Sequence, residues 1–194
     1  MPPSSQDGQL ITELQGGDLD ALGVLYERHK TTVYRTALAI THDPSAAEDI
    51  LQDCFLRLYK YAHSIDRSLP LRPWLYRVTT NLAYNWERRR KRWQTPLDDV
   101  LEWLASPFQA SPEWRAEMSD VHSQVMDALR SLSPNQRIVL VLYYLNSLNL
   151  KEIASILDCP VGTVKSRLHY GREALRHKLE TSQRAVSELA FEFA

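Results

Sequence analysis

Helix starts recur along this chain, and each is written in the same chemistry. Asp43-Pro44 sets a side-chain acceptor ahead of a proline in the first turn, where the missing N–H of proline costs nothing. Ala46, Ala47, Ile50, Leu51, Cys54, Phe55 and Leu58 follow at steps that return to one helical face. Ser133-Pro134-Asn135-Gln136 and Asn149-Leu150-Lys151-Glu152 repeat the signal as capping boxes. The run 138–142 is rich in β-branched residues, but a cap precedes it and no second strand candidate accompanies it. The chain is therefore expected to be all-α, with helices near 18–41, 43–61, 72–92, 113–131, 134–146, 150–157 and 161–179.

Prolines 70, 73, 96, 107 and 112 interrupt the middle of this helical material. The expected architecture is two small helical domains, 10–92 and 113–180, joined by a flexible acidic linker over 93–112 and followed by a short tail at 181–194. Charge divides the same way. The net charge is only -1, yet residues 61–95 hold 8 basic and 2 acidic side chains, residues 96–135 hold 2 and 7, and residues 136–180 hold 7 and 4. Two basic blocks around an acidic one suit two nucleic-acid-facing modules on a connector. With Asp98, Asp99 and Glu102 and no Lys or Arg, the linker is repelled by phosphates and acts as a tether. Fully extended it reaches at most about 70 Å, or about 20 base pairs.

Other classes are disfavoured by what the sequence lacks. Met1-Pro2-Pro3-Ser4-Ser5 has neither the positive flank nor the apolar stretch of a secretory signal, and the longest uncharged run, 138–150, is too short for a bilayer. A cytoplasmic protein with no direct membrane insertion is expected. Cys54 and Cys159 stand far apart without ligand spacing and read as packed thiols. No GxGxxG, GxxxxGK, HExxH or GxSxG pattern occurs, and the 6 histidines form no ligand-like group. The expectation is a protein that is not an enzyme, without catalytic residues, metal or cofactor.

Two constellations carry recognition chemistry. Residues 150–157, the break Asp158-Cys159-Pro160 and residues 161–168 read as two short helices around a tight turn, packed through Ile153, Ala154, Leu157, Val164 and Leu168. That is a helix-turn-helix. On its second helix Val164, Leu168, Gly171 and Leu175 share the inner stripe, while Lys165, Ser166, His169, Arg172, Glu173 and Arg176 share the outer face. Short polar and basic groups there suit base edges, and the later arginines suit phosphates. The second constellation is a line of Arg77, Asn81, Tyr84, Asn85, Arg88 and Arg92 that ends in the cationic run 88–92. Amides, a stackable ring and arginines are what opened DNA requires, with Trp74, Leu75, Val78 and Leu82 left for the core.

Taken in series, the stretches 47–58, 74–83 and 159–168 resemble the sigma-70 family of RNA polymerase sigma factors, extracytoplasmic-function (ECF) type, over roughly residues 10–180. The resemblance implies a first domain that binds core polymerase and captures the opened −10 element, and a second that reads the −35 element as duplex. It assigns Asp49, Gln52 and Asp53 to the polymerase, and Arg77, Asn81, Tyr84, Asn85, Arg88 and Arg92 to −10 DNA. It assigns Lys165, Ser166, Arg167, His169, Arg172 and Arg176 to −35 DNA, and the loop 63–72 to −10 specificity. The implied partners are core RNA polymerase, through its β′ clamp helices and β subunit, promoter DNA and an anti-sigma factor. The rival reading is a helix-turn-helix regulator with a sensory N-terminal domain, which would need a ligand pocket or a receiver domain.

Overall fold

A computed structural model describes residues 4–93 and 127–192, with side chains described over 6–90 and 127–181. Among these residues every regular element is helical. The order is α1 (Ser4–Gln15), α2 (Leu19–Thr41), α3 (Pro44–Lys60), a 3₁₀ turn (Ala62–Ser64), α4 (Leu71–Trp93), α5 (Pro134–Leu140), a π-helical turn (Val141–Leu145), α6 (Leu150–Ile156) and α7 (Val161–Glu192). Apart from Trp93, which ends α4, the linker 93–112 lies outside the described residues, as does most of the helix expected near 113–131, although 127–130 are helical.

The caps act as the sequence implies. The Asp43 carboxylate accepts from the Ala46 N–H at 2.9 Å and Pro44 opens α3. Ser133 and Asn149 both close capping boxes, through Gln136 and Glu152. Three features depart from expectation. A helix, α1, precedes the first one expected, and Gly17 at φ +94° turns the chain from it into α2. The helix expected over 134–146 widens after Leu140 into a π turn, whose Asn146 N–H reaches the Val141 carbonyl at 3.2 Å. The last helix runs past the end expected near 179 to Glu192, so most of the tail 181–194, for which the sequence allows either helix or fraying, is helical.

The first helical domain packs Ile11, Leu14, Leu25, Val33, Cys54, Phe55, Leu58, Leu71 and Leu75 into one core. A second cluster joins Ala37, Ile40, Ile50, Tyr76 and Ala83 of this domain to Ile138, Leu142, Ile153, Val164 and Leu168 of the other. The two domains therefore share buried apolar surface, each large side chain contributing about 1.5–3 kcal/mol when fully covered. Polar contacts fix the register across the seam. Asn146 donates through Nδ2 to Thr36 Oγ1 at 3.0 Å. The buried Arg137 donates to the Ile40 carbonyl and to Glu87, and also holds the carbonyls of Leu129, Arg130 and Leu132.

Candidate nucleic-acid interface

α3 presents its two faces cleanly. Ile50, Cys54 and Phe55 are buried, and Asp49, Gln52 and Asp53 are all exposed on the outer side, where no described residue covers them. Burial pushes the Cys54 thiol up to about 11, so it is a packing group and not a nucleophile. Cys159 is free and half-buried in the turn between α6 and α7.

In the helix-turn-helix, Asp158 takes a left-handed backbone (φ 48°), which a short polar residue tolerates, and the Cys159 N–H closes the turn on the Ala154 carbonyl at 3.1 Å. The inner stripe of α7 is as expected: Val164, Leu168 and Gly171 are buried and Leu175 is half-buried. Lys165, Ser166, His169, Arg172 and Arg176 are exposed. Neighbours already orient several of them. The Ser166 hydroxyl donates back to the carbonyls of Gly162 and Thr163, leaving its acceptor lone pairs outward. The Arg172 guanidinium lies 5.1 Å and 5.3 Å from the rings of Tyr143 and Tyr144, supplied by the π turn. Arg176 pairs with Glu173 at 2.8 Å. Arg167 stands apart from this set: it is half-buried and lines a cleft of about 290 Å³ together with Thr80, Asn81 and Tyr84 of α4.

On α4 the line Arg77, Asn81, Tyr84, Asn85 and Arg88 is exposed, while Arg92 lies in the helix beyond the described side chains. The domain contact reaches this line. Arg77 donates through Nε to the Ile156 carbonyl at 3.3 Å and through Nη2 to the Ser155 carbonyl, so its guanidinium caps the C-terminal end of α6. Asn81 and Tyr84 face the α6–α7 turn across the cleft that Arg167 lines. The residues expected to hold opened DNA and the turn of the duplex-reading motif are thus brought together.

The loop after α3 has its own internal order. Asp66 accepts from the N–H and hydroxyl of Ser68 at 2.9 Å and 2.6 Å, and these bonds hold its carboxyl below the ordinary range. Residues 66–70 are exposed. Sequence reasoning missed three contributors to these surfaces: the Tyr143–Tyr144 shelf, the Arg137–Glu87 pair, and α1, which packs against the loop.

Among the described residues no group of three or more His, Cys, Asp or Glu side chains could hold a metal, and no helix is long and apolar enough to cross a membrane.

Comparison with known proteins locates two regions. Residues 25–93 match Sigma-70 region 2 and residues 122–175 match Sigma-70 region 4. The chain is 34% identical to the ECF RNA polymerase sigma factor SigW of Bacillus subtilis, over 87% of this chain and 94% of that protein. It is 31% identical to the ECF RNA polymerase sigma-E factor of Escherichia coli, over 90% of this chain and 94% of that protein. Its fold is similar to that of the sigma factor RpoE of Bartonella quintana, solved in complex with the anti-sigma factor NepR. The TM-score is 0.63 at 22% identity, covering 84% of this chain and 98% of that one.

Proposed function

The chain belongs to the ECF group of the sigma-70 family, alternative sigma factors that bind core RNA polymerase and promoter DNA and direct transcription initiation, and from that premise we propose how its residues divide the work. Asp49, Gln52 and Asp53 bind the β′ clamp helices, with the β subunit as a further contact of the factor. Arg77, Asn81, Tyr84, Asn85, Arg88 and Arg92 capture the opened −10 element beside the reading loop 63–72. Lys165, Ser166 and His169 read −35 base edges, and Arg172 and Arg176 grip phosphates, with Arg167 on the flank nearer α4. The working domains are 10–92 and 113–180, with 93–112 as the tether.

The observation that carries this reading is the outer face of α7. Lys165, Ser166 and His169 are exposed within the first three turns of a helix that a tight turn and a buried stripe fix against α6. That is the geometry by which such a helix enters a major groove. The chain acts in the cytoplasm, where the polymerase is, and performs no bond-making step itself, since phosphodiester synthesis belongs to the polymerase. An anti-sigma factor holds it inactive until a signal arrives. The rival sensory regulator would need a ligand pocket or a receiver domain, and the described part of the N-terminal domain is helical throughout, without a receiver sheet.

Run-off transcription with bare core polymerase tests this, using one bipartite promoter whose spacer is varied a base pair at a time. Initiation should require the added protein and fall away once the spacer exceeds the reach of the tether. Initiation that ignores spacer length would show that the two domains do not act together on one promoter.

A further inference from the structure

The helix α1 lies ahead of the stretch that matches region 2, which begins at residue 25. Its contacts nevertheless converge on the loop 63–72. Gln15 donates from Nε2 to the carbonyls of Ala62 and Ile65 at 3.0 Å and 3.2 Å. Both partners are carbonyl oxygens, so only a hydrogen-bond donor serves at this position. About one turn from the opposite end, Gly8 faces the loop backbone, where an added Cβ would sit 2.5 Å from the Arg67 carbonyl oxygen. Ile11 and Leu14, between these two points, are buried in the same core as Ala62, Ile65 and Leu71, at the root of the loop.

The far side of α1 is fixed as firmly. Asp7, itself buried, pairs with Arg28 of α2 and accepts from His29 Nε2 at 3.0 Å. Burial lowers His29 below its ordinary range although Asp7 pulls the other way, so the neutral ring meets the carboxylate and Arg28 supplies the ion pair. The loop is therefore held through its main chain by a helix anchored to α2, while residues 66–69 remain exposed.

We propose that Gly8 and Gln15 are specificity-positioning residues: α1 sets the position of the −10 reading loop by hydrogen-bonding its carbonyls at 62 and 65 and by admitting the carbonyl of Arg67 against a bare glycine. The proposal rests on the assignment of loop 63–72 to −10 reading. It separates two properties that usually travel together. Gly8→Ala favours a helix interior, because alanine is a better helix former than glycine, yet it forces the loop backbone away. Gln15→Glu keeps length and shape but presents an acceptor to two acceptors.

The experiment is run-off transcription with core polymerase on a promoter library randomised at the −10 element, with a second library randomised at the −35 element. Full-length wild type, Gly8→Ala, Gln15→Glu and Asp66→Ala are compared. For both α1 variants the ratio of the preferred to the next-best −10 base should change by about threefold to tenfold, the scale of one repositioned hydrogen bond. The −35 preferences and core affinity should hold. An unchanged −10 profile in both, or a loss uniform across all −10 sequences, overturns the proposal. Asp66→Ala separates the two levels. If it alters the −10 profile while the α1 variants do not, the loop reads DNA without help from α1. If it too leaves the profile unchanged, the assignment of the loop falls and the proposal falls with it.

Discussion

Arg137 on α5 donates through Nη1 to Glu87 Oε1 on α4 at 2.6 Å, and the side chains are only 4% and 10% exposed. Two charges taken this far from water are tolerated because each is satisfied: Arg137 spends its remaining donors on carbonyls of Ile40, Leu129, Arg130 and Leu132. Removing one partner strands the other. Arg137→Ala should cost about 3–5 kcal/mol, more than Glu87→Gln, which leaves an acceptor oxygen in place. Urea unfolding of both variants checks the order, and equal costs would mean that the pair carries no more than its local carbonyl contacts.

The α3 patch should be separable from folding. Asp49→Ala with Asp53→Ala on an exposed face should change stability by no more than about 0.5 kcal/mol, while affinity for core polymerase falls sharply. Fluorescence titration against core, with thermal melting as the control, measures both. A folded double variant that binds core normally would remove these residues from the polymerase contact.

The outer face of α7 should divide into readers and grips. Lys165→Ala and His169→Ala should relax preference at individual −35 bases. Arg172→Ala should weaken all sequences alike and lower the salt slope by about 1 if it neutralises one phosphate. Arg176 is already paired with Glu173, so Arg176→Ala should change the slope by less than Arg172→Ala. Filter or anisotropy titrations at several salt concentrations distinguish these outcomes. Identical sequence-blind losses in all four variants would make α7 a charged surface and not a reader.

Acid should loosen the chain through His42. This residue ends α2 in a left-handed backbone (φ 54°) with Nε2 buried and without a hydrogen-bond partner. Burial first, then the positive charges of Arg137, Arg130 and Arg90, push it down to about 3. The folded chain therefore binds this proton later than the unfolded chain, whose histidine titrates near 6.5. Stability is fully present above that value and falls by about 1.4 kcal/mol for each unit of pH below it until the folded value is reached. His29, lowered in the same direction, adds to the slope. His42→Asn tolerates the left-handed backbone and should flatten the dependence between pH 6 and 4.5, read by urea midpoints. An unchanged slope would assign the effect elsewhere.

Much of this molecule was legible locally. The caps at Asp43, Ser133 and Asn149 mark helix starts because each is a short-range bond between a side chain and the next turn. The exposed faces of α3 and α7 follow from periodicity alone. α1 escaped because it holds Gly8 inside and shows only Leu10, Ile11 and Leu14 as an apolar face. The π turn escaped because it is part of a seam that joins Asn146 to Thr36. The seam itself is long-range: Glu87 meets a residue 50 positions away and Arg77 bonds to carbonyls 78 and 79 away, and no local pattern encodes such pairings. Arg167 carried the chemistry of a DNA contact in the sequence, but helical phase turns it toward α4.

The bonds from Arg77 to the end of α6 have a thermodynamic consequence. The two bonds engage Nε and Nη2 of Arg77, so a nucleotide that takes those donors displaces the carbonyls of Ser155 and Ile156. With Arg77 assigned to opened DNA, capture of the strand and parting of the two domains become linked equilibria. The factor by which strand capture favours the parted state equals the factor by which parting raises strand affinity. A ligand that wedges the domains apart thus sharpens affinity for the melted strand without touching it, and one that clamps them together blunts it equally.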